Sequence, residues 1–189
     1  MNQIRQYLET FTEVNDADWD FFSSKLTKRE FPKKQVILKV GEIESRISFI
    51  QTGAVRLMIP GEDERETTFG FSFENEFISA YDSFLTQTPS TYQLETLIET
   101  TLLSITHQDL QEVYSQTKIG NLIGRLSSER LYLNKSKREL SLLNDSAEQR
   151  YLNLFTERPN LLKEIPLKYV ASYIGVTPQA LSRIRKRIS

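Results

Sequence analysis

Residues 167–187 read LKYVASYIGVTPQALSRIRKR, and this stretch decides how the rest of the chain is interpreted. Apolar residues at helical spacing predict two helices, each with one buried face. These apolar residues are Leu167, Val170, Ala171, Ile174, Leu181 and Ile184. Gly175 is expected to end the first helix, because glycine adopts a left-handed backbone without steric cost. The Thr177 hydroxyl can cap the second helix, and Pro178 suits its first position. The pattern predicts a helix-turn-helix motif.

Polar side chains occupy the outward face of the predicted second helix. They are Thr177, Gln179, Ser182, Arg183 and Lys186. Gln and Arg can form paired hydrogen bonds with adenine and guanine edges, and Ser, Thr and Lys suit phosphate oxygens. A plainer interpretation is a helical hairpin in some other fold with a solvated basic face. We favour a DNA-binding helix, because the cap, the turn and the apolar positions all agree.

The C-terminal end of the chain is basic, although the whole chain is not. The formal net charge of the chain is −1, but residues 160–189 contain six Lys or Arg residues and one Glu, a local charge of +5. A basic patch that coincides with a helix-turn-helix motif is the electrostatic pattern expected of a DNA-binding protein.

The composition excludes several kinds of site. Hydrophobic residues make up 39% of the chain and charged residues 26%, as in a globular protein. Neither a membrane-spanning run nor a leader at residues 1–10 is present, so we expect a cytoplasmic protein without a membrane partner. The chain has no cysteine and a single histidine, His107, which excludes disulfides and cysteine-ligated metal sites. Without a glycine-rich phosphate loop, we also predict no enzyme activity, metal or cofactor.

The N-terminal part of the chain is predicted to be two short helices followed by strands. The helices lie within residues 2–26. Short runs of β-branched and apolar residues then recur between turn signals, in residues 31–39, 47–59, 67–73, 92–98 and 101–105. Gly53 predicts a hairpin, and Pro60-Gly61 with acidic residues 62–64 predicts a turn. This spacing indicates an antiparallel, jelly-roll-like β-roll.

One of these strands carries an aromatic row. Phe69, Phe71 and Phe73 alternate with smaller residues. Because side chains two positions apart lie on the same side of a strand, we expect the three rings to share one face in the core.

A long helix is predicted over residues 118–143. Apolar residues at the a and d positions of one heptad register form a narrow seam, typical of a two-stranded coiled coil. The seam residues are Ile119, Leu122, Leu126, Leu133 and Leu140, followed by Leu143. Glu129 and Ser136 interrupt the seam. We expect a homodimer through this helix, and the alternative is a helix that lies on the roll of a monomer.

A break follows the long helix. Asp145 and Glu148 have the spacing of a capping box and predict that a new helix begins there. The predicted domains are a β-roll sensor domain over residues 1–117, a dimerisation helix over 118–143 and a helix-turn-helix DNA-binding domain over 144–189. The predicted fold class is α+β, with helices flanking an N-terminal antiparallel roll and an all-α C-terminal domain.

This order of β-roll, long helix, hinge and basic helix-turn-helix resembles the Crp/Fnr family of bacterial transcription regulators over essentially the whole chain. The weaker marks in the roll are Gly41, Gly53 and the run Asn75-Glu76-Phe77-Ile78. The resemblance implies a homodimeric transcription regulator that binds double-stranded DNA, with RNA polymerase and a small effector as further candidate partners. The alternative is a cyclic-nucleotide-binding sensor that signals through protein contacts. Two residues follow Arg187, so the family's β-hairpin wing is not expected.

The resemblance also locates an effector pocket. It comprises Phe77, Ser79, Ala80, Tyr81, Ser90 and Thr91. In relatives that bind cyclic AMP, a glutamate holds the ribose and an arginine neutralises the phosphate. Ala80 stands at the glutamate position and Ser90 or Thr91 at the arginine position, and no Arg or Lys lies between Arg65 and Lys118. A buried phosphate without a cation is poorly compensated, so we expect no cyclic AMP binding in the family's manner.

Overall fold

The computed structural model describes residues 2–61 and 66–188, so the turn predicted over residues 62–64 lies outside the described residues. The strands are β1 (Thr27–Phe31), β2 (Val36–Leu38), β3 (Arg46–Thr52), β4 (Ala54–Ile59), β5 (Thr67–Phe73), β6 (Phe77–Ile78), β7 (Gln93–Thr96) and β8 (Thr100–Thr106). The helices are α1 (Asn2–Glu9), α2 (Asp16–Ser24), α3 (Tyr81–Thr86), α4 (His107–Gln116), α5 (Gly120–Asn144), α6 (Ala147–Glu157), α7 (Pro159–Glu164), α8 (Leu167–Tyr173) and α9 (Pro178–Ile188).

Two antiparallel sheets form the predicted β-roll, which confirms the α+β fold class. Sheet A has the strand order β1-β8-β3-β6, and sheet B has the order β2-β7-β4-β5. Apolar residues from both sheets, such as Ile50, Val55 and Leu102, pack together inside the roll. Helices α1, α2 and α4 cover the outer face of sheet A, and the C-terminal helices pack against the outer face of sheet B. The molecule is therefore layered, with helices on both sides of the roll.

Gly53 joins two sheets, so the predicted hairpin is wrong. Strands β3 and β4 are separated by this residue alone, yet β3 pairs with β8 and β6 whereas β4 pairs with β5 and β7. The φ angle of Gly53 is +108°, and a Cβ atom there would lie 2.4 Å from the Thr100 hydroxyl oxygen. Only glycine fits this corner, because any side chain would both strain the backbone and clash with β8.

A β-bulge separates the aromatic row of β5, so the predicted shared face is also wrong. The register between β4 and β5 shifts between Leu57 and Met58, opposite Phe69. Phe69 consequently turns into the roll, where it packs against Tyr92 with ring centroids 4.9 Å apart. Phe71 and Phe73 lie on the outer face of sheet B, in a cluster with residues of the C-terminal helices. An extra residue in a strand reverses the alternation beyond it.

The long helix is confirmed as α5, and the helix after the break begins with a different cap from the one predicted. The Ser146 hydroxyl, not the Asp145 carboxylate, accepts the hydrogen bond from the Gln149 amide, at 3.1 Å. Asp145 instead follows the end of α5, where its amide donates to the Ser141 carbonyl. Ser146 and Gln149 have the same capping-box spacing one residue later, so the break lies one residue further along the chain than expected.

Candidate nucleic-acid interface and effector pocket

Helices α8 and α9 form the predicted helix-turn-helix, with the glycine turn and the cap in place. Gly175 has a φ of +75°, and the Val176 amide donates to the Ala171 carbonyl at 2.9 Å. The Gly175 amide donates to the Ser172 carbonyl at 3.0 Å, which completes a Schellman ending. The Thr177 hydroxyl accepts from the Ala180 amide at 3.1 Å and caps α9. Local residues therefore set the angle between the two helices.

The apolar face of the motif is buried, with one exception. Val170, Ala171 and Ile174 of the first helix pack against Leu181 and Ile184 of the second. Leu167, predicted to belong to this face, remains 41% exposed. It is the first residue of α8, and the short helix turns it away from α9.

The polar face of α9 is open to solvent. All five residues predicted to bind DNA are exposed: Thr177, Gln179, Ser182, Arg183 and Lys186. Residues four apart lie on one face of a helix, which places Gln179 beside Arg183. Within the described residues, Arg183 and Lys186 have no ion-pair partner, whereas Arg187 pairs with Glu148 of α6. The arrangement leaves amide and guanidinium donors available to nucleobase edges and an ammonium group available to phosphates.

The structure brings together three of the six residues predicted for the effector pocket: Phe77, Ser79 and Tyr81 line one cleft, whereas Ala80, Ser90 and Thr91 are not part of its lining. Phe77 packs outside the roll, edge-on to Tyr7 and Phe49 at 5.3 and 5.2 Å. The Ser79 hydroxyl donates to the Arg46 carbonyl at 2.9 Å. Thr91 is exposed. Strand β6 alternates, so Ile78, and not Phe77, faces the interior of the roll.

The other three predicted residues lie close to α3 but are bonded within the protein. Ala80 is fully buried before the first turn of α3. The Ser90 hydroxyl is also buried and donates to the Tyr92 carbonyl at 2.7 Å. The hydroxyl of Tyr81 is hydrogen-bonded to that of Ser128 on α5, at 2.9 Å. None of these groups supplies a positive charge for a phosphate.

The segment 79–91, which contains α3, is called the cassette here. Tyr92, which the sequence analysis missed, fills the space beside it. Its ring packs against Phe69, and its hydroxyl donates to the Asp82 carboxylate at 2.5 Å. Burial raises the pKa of Tyr92, and the bond to Asp82 raises it further. The region around α3 therefore contains a buried aromatic ring, Tyr92, whose hydroxyl is bonded to an exposed carboxylate. The signal available in the sequence was the aromatic residue directly after Ser90 and Thr91.

Comparison with known proteins gives a family match within the roll and several structures of similar fold. Residues 28–117 match the family model described as the cyclic nucleotide-binding domain. The solved structure of the c-di-GMP-responsive global regulator CLP from Xanthomonas campestris is similar, with a TM-score of 0.70 and 18% identity, over 92% of this chain and 91% of that one. FixK2 from Bradyrhizobium japonicum gives a TM-score of 0.73 and 16% identity, over 86% and 84%.

A third structure, from Eubacterium rectale and described as belonging to the Crp/Fnr family, gives a TM-score of 0.70 and 14% identity, over 97% of this chain and 87% of that one. The chain has a Crp/Fnr fold. Comparison with curated protein sequences gives no match. No described helix is long and apolar enough to cross a membrane.

In this Crp/Fnr fold, helix α5 has two different faces. The inner face lies towards the roll and the C-terminal helices, and it carries Ser128 and Arg138. The predicted seam lies about 180° away around the helix, given 3.6 residues per turn. Leu133, Leu140 and Leu143 on that outer face are 66%, 55% and 75% exposed. More than half of the surface of each of these three apolar side chains is therefore left open to solvent by the residues that the structure describes.

The N-terminal part of the predicted seam is less exposed than its C-terminal part. Ile119 precedes the first residue of α5 and packs against the helices that cover sheet A. Leu122 and Leu126 are half-buried. The exposed part of the seam is therefore the part nearer to the helix-turn-helix.

A cleft of about 830 Å³ lies between the roll, the inner face of α5 and the C-terminal helices. Its lining includes Phe71, Leu131, Arg138 and Tyr173. The cleft also reaches the region around α3, because Ser79, Tyr81 and Tyr92 are among its lining residues, and it offers space for a small molecule.

Proposed function

We propose that this chain is a homodimeric, sequence-specific DNA-binding transcription regulator of Crp/Fnr type. The observation that carries the proposal is the recognition helix α9, whose apolar residues are buried and whose polar face is open. Gln179 and Arg183 lie side by side on that face, in position for adjacent bases in a major groove. Lys186 is one turn further and is assigned to the phosphate backbone.

The dimer is proposed to form through the exposed apolar seam of α5. Pairing two copies along Leu126, Leu133 and Leu140 would remove these side chains from water, which favours association. A two-fold axis along the paired helices would place two recognition helices in successive major grooves. The half-sites would then lie about 34 Å apart, one turn of duplex DNA.

The roll is proposed not to bind cyclic AMP. The Tyr92 ring is buried beside α3, and the Asp82 carboxylate bonded to its hydroxyl would repel a phosphate anion. An effector of another kind could use the cleft beside α5. Isothermal calorimetry with cyclic AMP is expected to give no binding heat, and micromolar or tighter binding would contradict this part of the proposal.

The DNA-binding function is tested by selecting duplexes from a random library and measuring affinity for the selected operator at increasing salt. Each phosphate contact releases counterions, so the logarithm of the binding constant should fall linearly with the logarithm of salt concentration, with a slope of about −0.9 per contact. The selected sequence should contain two half-sites. Failure to bind any duplex at low salt would instead favour a sensor that signals through protein contacts.

A further inference from the structure

We propose that the β-roll itself fixes the orientation of the recognition helix, and that Tyr169 and Ser172 are the positioning residues that hold the helix-turn-helix on strand β5. The consequence is that docking on the roll, in addition to the contacts across the break after α5, sets the distance between the two DNA half-sites that the protein accepts. This inference rests on the proposed DNA-binding function and adds to it a determinant of operator spacing.

The helix-turn-helix shares one apolar core with the outer face of sheet B. Ala54, Phe71 and Phe73 of the roll belong to the same buried cluster as Val170 and Leu181 of the motif. The rings of Phe71 and Tyr173 lie 5.4 Å apart. The two parts are therefore packed against each other, and separating them would expose two aromatic side chains of the roll.

A polar clasp joins α8 to strand β5, which is the edge strand of sheet B. The Thr68 amide donates to the Ser172 hydroxyl at 2.8 Å, and the same hydroxyl donates to the Glu66 carbonyl at 3.2 Å. Arg158 donates from Nη2 to the Phe71 carbonyl at 3.0 Å. Backbone groups on a sheet edge lack strand partners, and here the C-terminal helices supply them.

Arg56 provides a second anchor. Arg56 is 1% exposed, and its guanidinium pairs within the roll with Glu66 at 2.7 Å and Glu95 at 2.9 Å. The Tyr169 ring of α8 covers it, with the guanidinium carbon 4.1 Å from the ring centroid. Both carboxylates belong to the roll, so the Arg56 charge keeps its partners when the motif moves away. Removing the Tyr169 ring should therefore release the motif without unfolding the roll.

The break after α5 is bridged as well. Arg138 of α5 donates to the Tyr173 carbonyl at 3.0 Å, and Arg150 of α6 donates to the Ile174 carbonyl at 2.8 Å. Both arginines satisfy carbonyl groups at the end of α8, where cations are favourable. The motif is thus held from the long helix and from the roll simultaneously.

Docking leaves the DNA-binding side free. The face of the motif that meets the roll carries Tyr169, Ser172 and Tyr173, whereas Gln179 and Arg183 on α9 are exposed. A recognition helix held in this way is preorganised, because its orientation is set before DNA arrives. Two such helices in a dimer would match a single half-site spacing, and loosely tethered motifs would accept several.

The test compares the wild type with the double variant Tyr169→Ala, Ser172→Ala. Hydrogen exchange of the β5 amides, including Thr68, reports docking without any DNA, and faster exchange is expected in the variant. Binding is then measured to the selected operator and to operators with one or two base pairs inserted between the half-sites. The wild type should lose at least about tenfold in affinity on insertion, which corresponds to 1.4 kcal/mol. The variant should lose less than about threefold, while its preference for the half-site sequence is unchanged.

Two controls separate positioning from a general loss of stability. Tyr169→Phe keeps the ring over Arg56 and should restore wild-type exchange and spacing selectivity when Ser172 is intact. Ser115→Ala removes an exposed hydroxyl of α4 and should change neither measurement. If the double variant is too unstable to purify, Ser172→Ala alone takes its place. This variant removes one hydroxyl and should show smaller changes in β5 exchange and spacing selectivity than those expected of the double variant.

The outcomes distinguish this inference from the proposed function. No duplex binding by the wild type would mean that the proposed function is wrong. Wild-type binding with equal spacing selectivity in the double variant would overturn the inference alone. Unchanged β5 exchange in the variant would also overturn it, because the clasp would then not hold the motif. Tighter operator binding by the variant would make docking inhibitory and would likewise overturn it.

Discussion

The recognition helix α9 and the cassette around α3 are both short helical segments predicted to bind a ligand, yet they treat their polar groups in opposite ways. On α9, Gln179, Arg183 and Lys186 are exposed, with their donors directed to solvent. Around α3, the hydroxyls of Tyr81, Ser90 and Tyr92 are all bonded to other groups of the protein. Polar groups committed to internal bonds cannot serve a ligand without first breaking them. The comparison indicates that α9 presents its polar groups to solvent, whereas the hydroxyls around α3 are used within the protein.

The outer face of α5 is a second open surface, and it should give the largest effect. Replacing Leu126 and Leu133 together by Glu would place four like charges in a buried seam of the proposed dimer. The dimer should weaken at least about 100-fold, or about 3 kcal/mol, because unpaired charges resist burial. Sedimentation velocity over a concentration series measures the change.

The matched control places Glu at two other exposed apolar residues, Leu85 and Ile98, which are 57% and 45% exposed and do not belong to α5. This control should sediment as the wild type does. A seam variant with an unchanged mass would show that α5 does not mediate dimerisation. Helix α9 would then be the one exposed surface of this comparison to which a binding role is assigned.

Arg183 and Lys186 allow a base contact and a phosphate contact to be compared on α9 itself. Arg183→Ala should cost about 1–3 kcal/mol per half-site and relax the preference at one base position, because a paired arginine–guanine contact is lost. Lys186→Ala should weaken binding to all sequences alike and reduce the salt slope by about one unit per contact. Competition assays with operator variants at several salt concentrations separate the two. An equal loss of specific and non-specific affinity in Arg183→Ala would reduce that residue to a phosphate contact.

The hydrogen bond from Tyr92 to Asp82 beside α3 should give the smallest effect, which is on the free energy of unfolding. Tyr92→Phe removes the hydrogen bond to Asp82 and should cost about 1 kcal/mol at neutral pH. The raised pKa of Tyr92 means that its neutral form is favoured in the folded state. Its contribution to stability is complete below the ordinary tyrosine pKa of about 10 and falls as the pH rises above that value. Denaturant unfolding at pH 8 and at pH 11 should show that the difference between wild type and variant narrows at the higher pH. A difference that stays constant would contradict the role of this bond.

The helix-turn-helix could be predicted from the sequence because all its determinants are local. Gly175, Thr177 and the buried pair Leu181 and Ile184 lie within ten residues of one another, and each acts through backbone conformation or helical spacing. The same holds for the length of α5, which contains no proline and whose interior glycine, Gly124, lies near its start. Signals of this kind do not depend on how distant parts of the chain meet.

The pocket and the strand pairing could not be predicted, because they depend on residues far apart in the chain. Nothing local to Gly53 shows that β3 and β4 enter different sheets, since the reason is the proximity of Thr100. The bulge at Phe69 is likewise invisible in an alternating row of aromatic residues. It is this bulge that brings Phe69 to Tyr92.

The sequence by itself determined the order of elements, the recognition helix with its exposed Gln179 and Arg183, and the missing arginine at Ser90 or Thr91. Helical periodicity, capping and charge are read along the chain, and they need no tertiary contact. Only the tertiary structure decided that the helix-turn-helix packs on the roll, with Ser172 on the edge of β5 and Tyr169 over Arg56. Those contacts join residues about one hundred positions apart, where the free energy of burial and edge pairing depends on the whole fold.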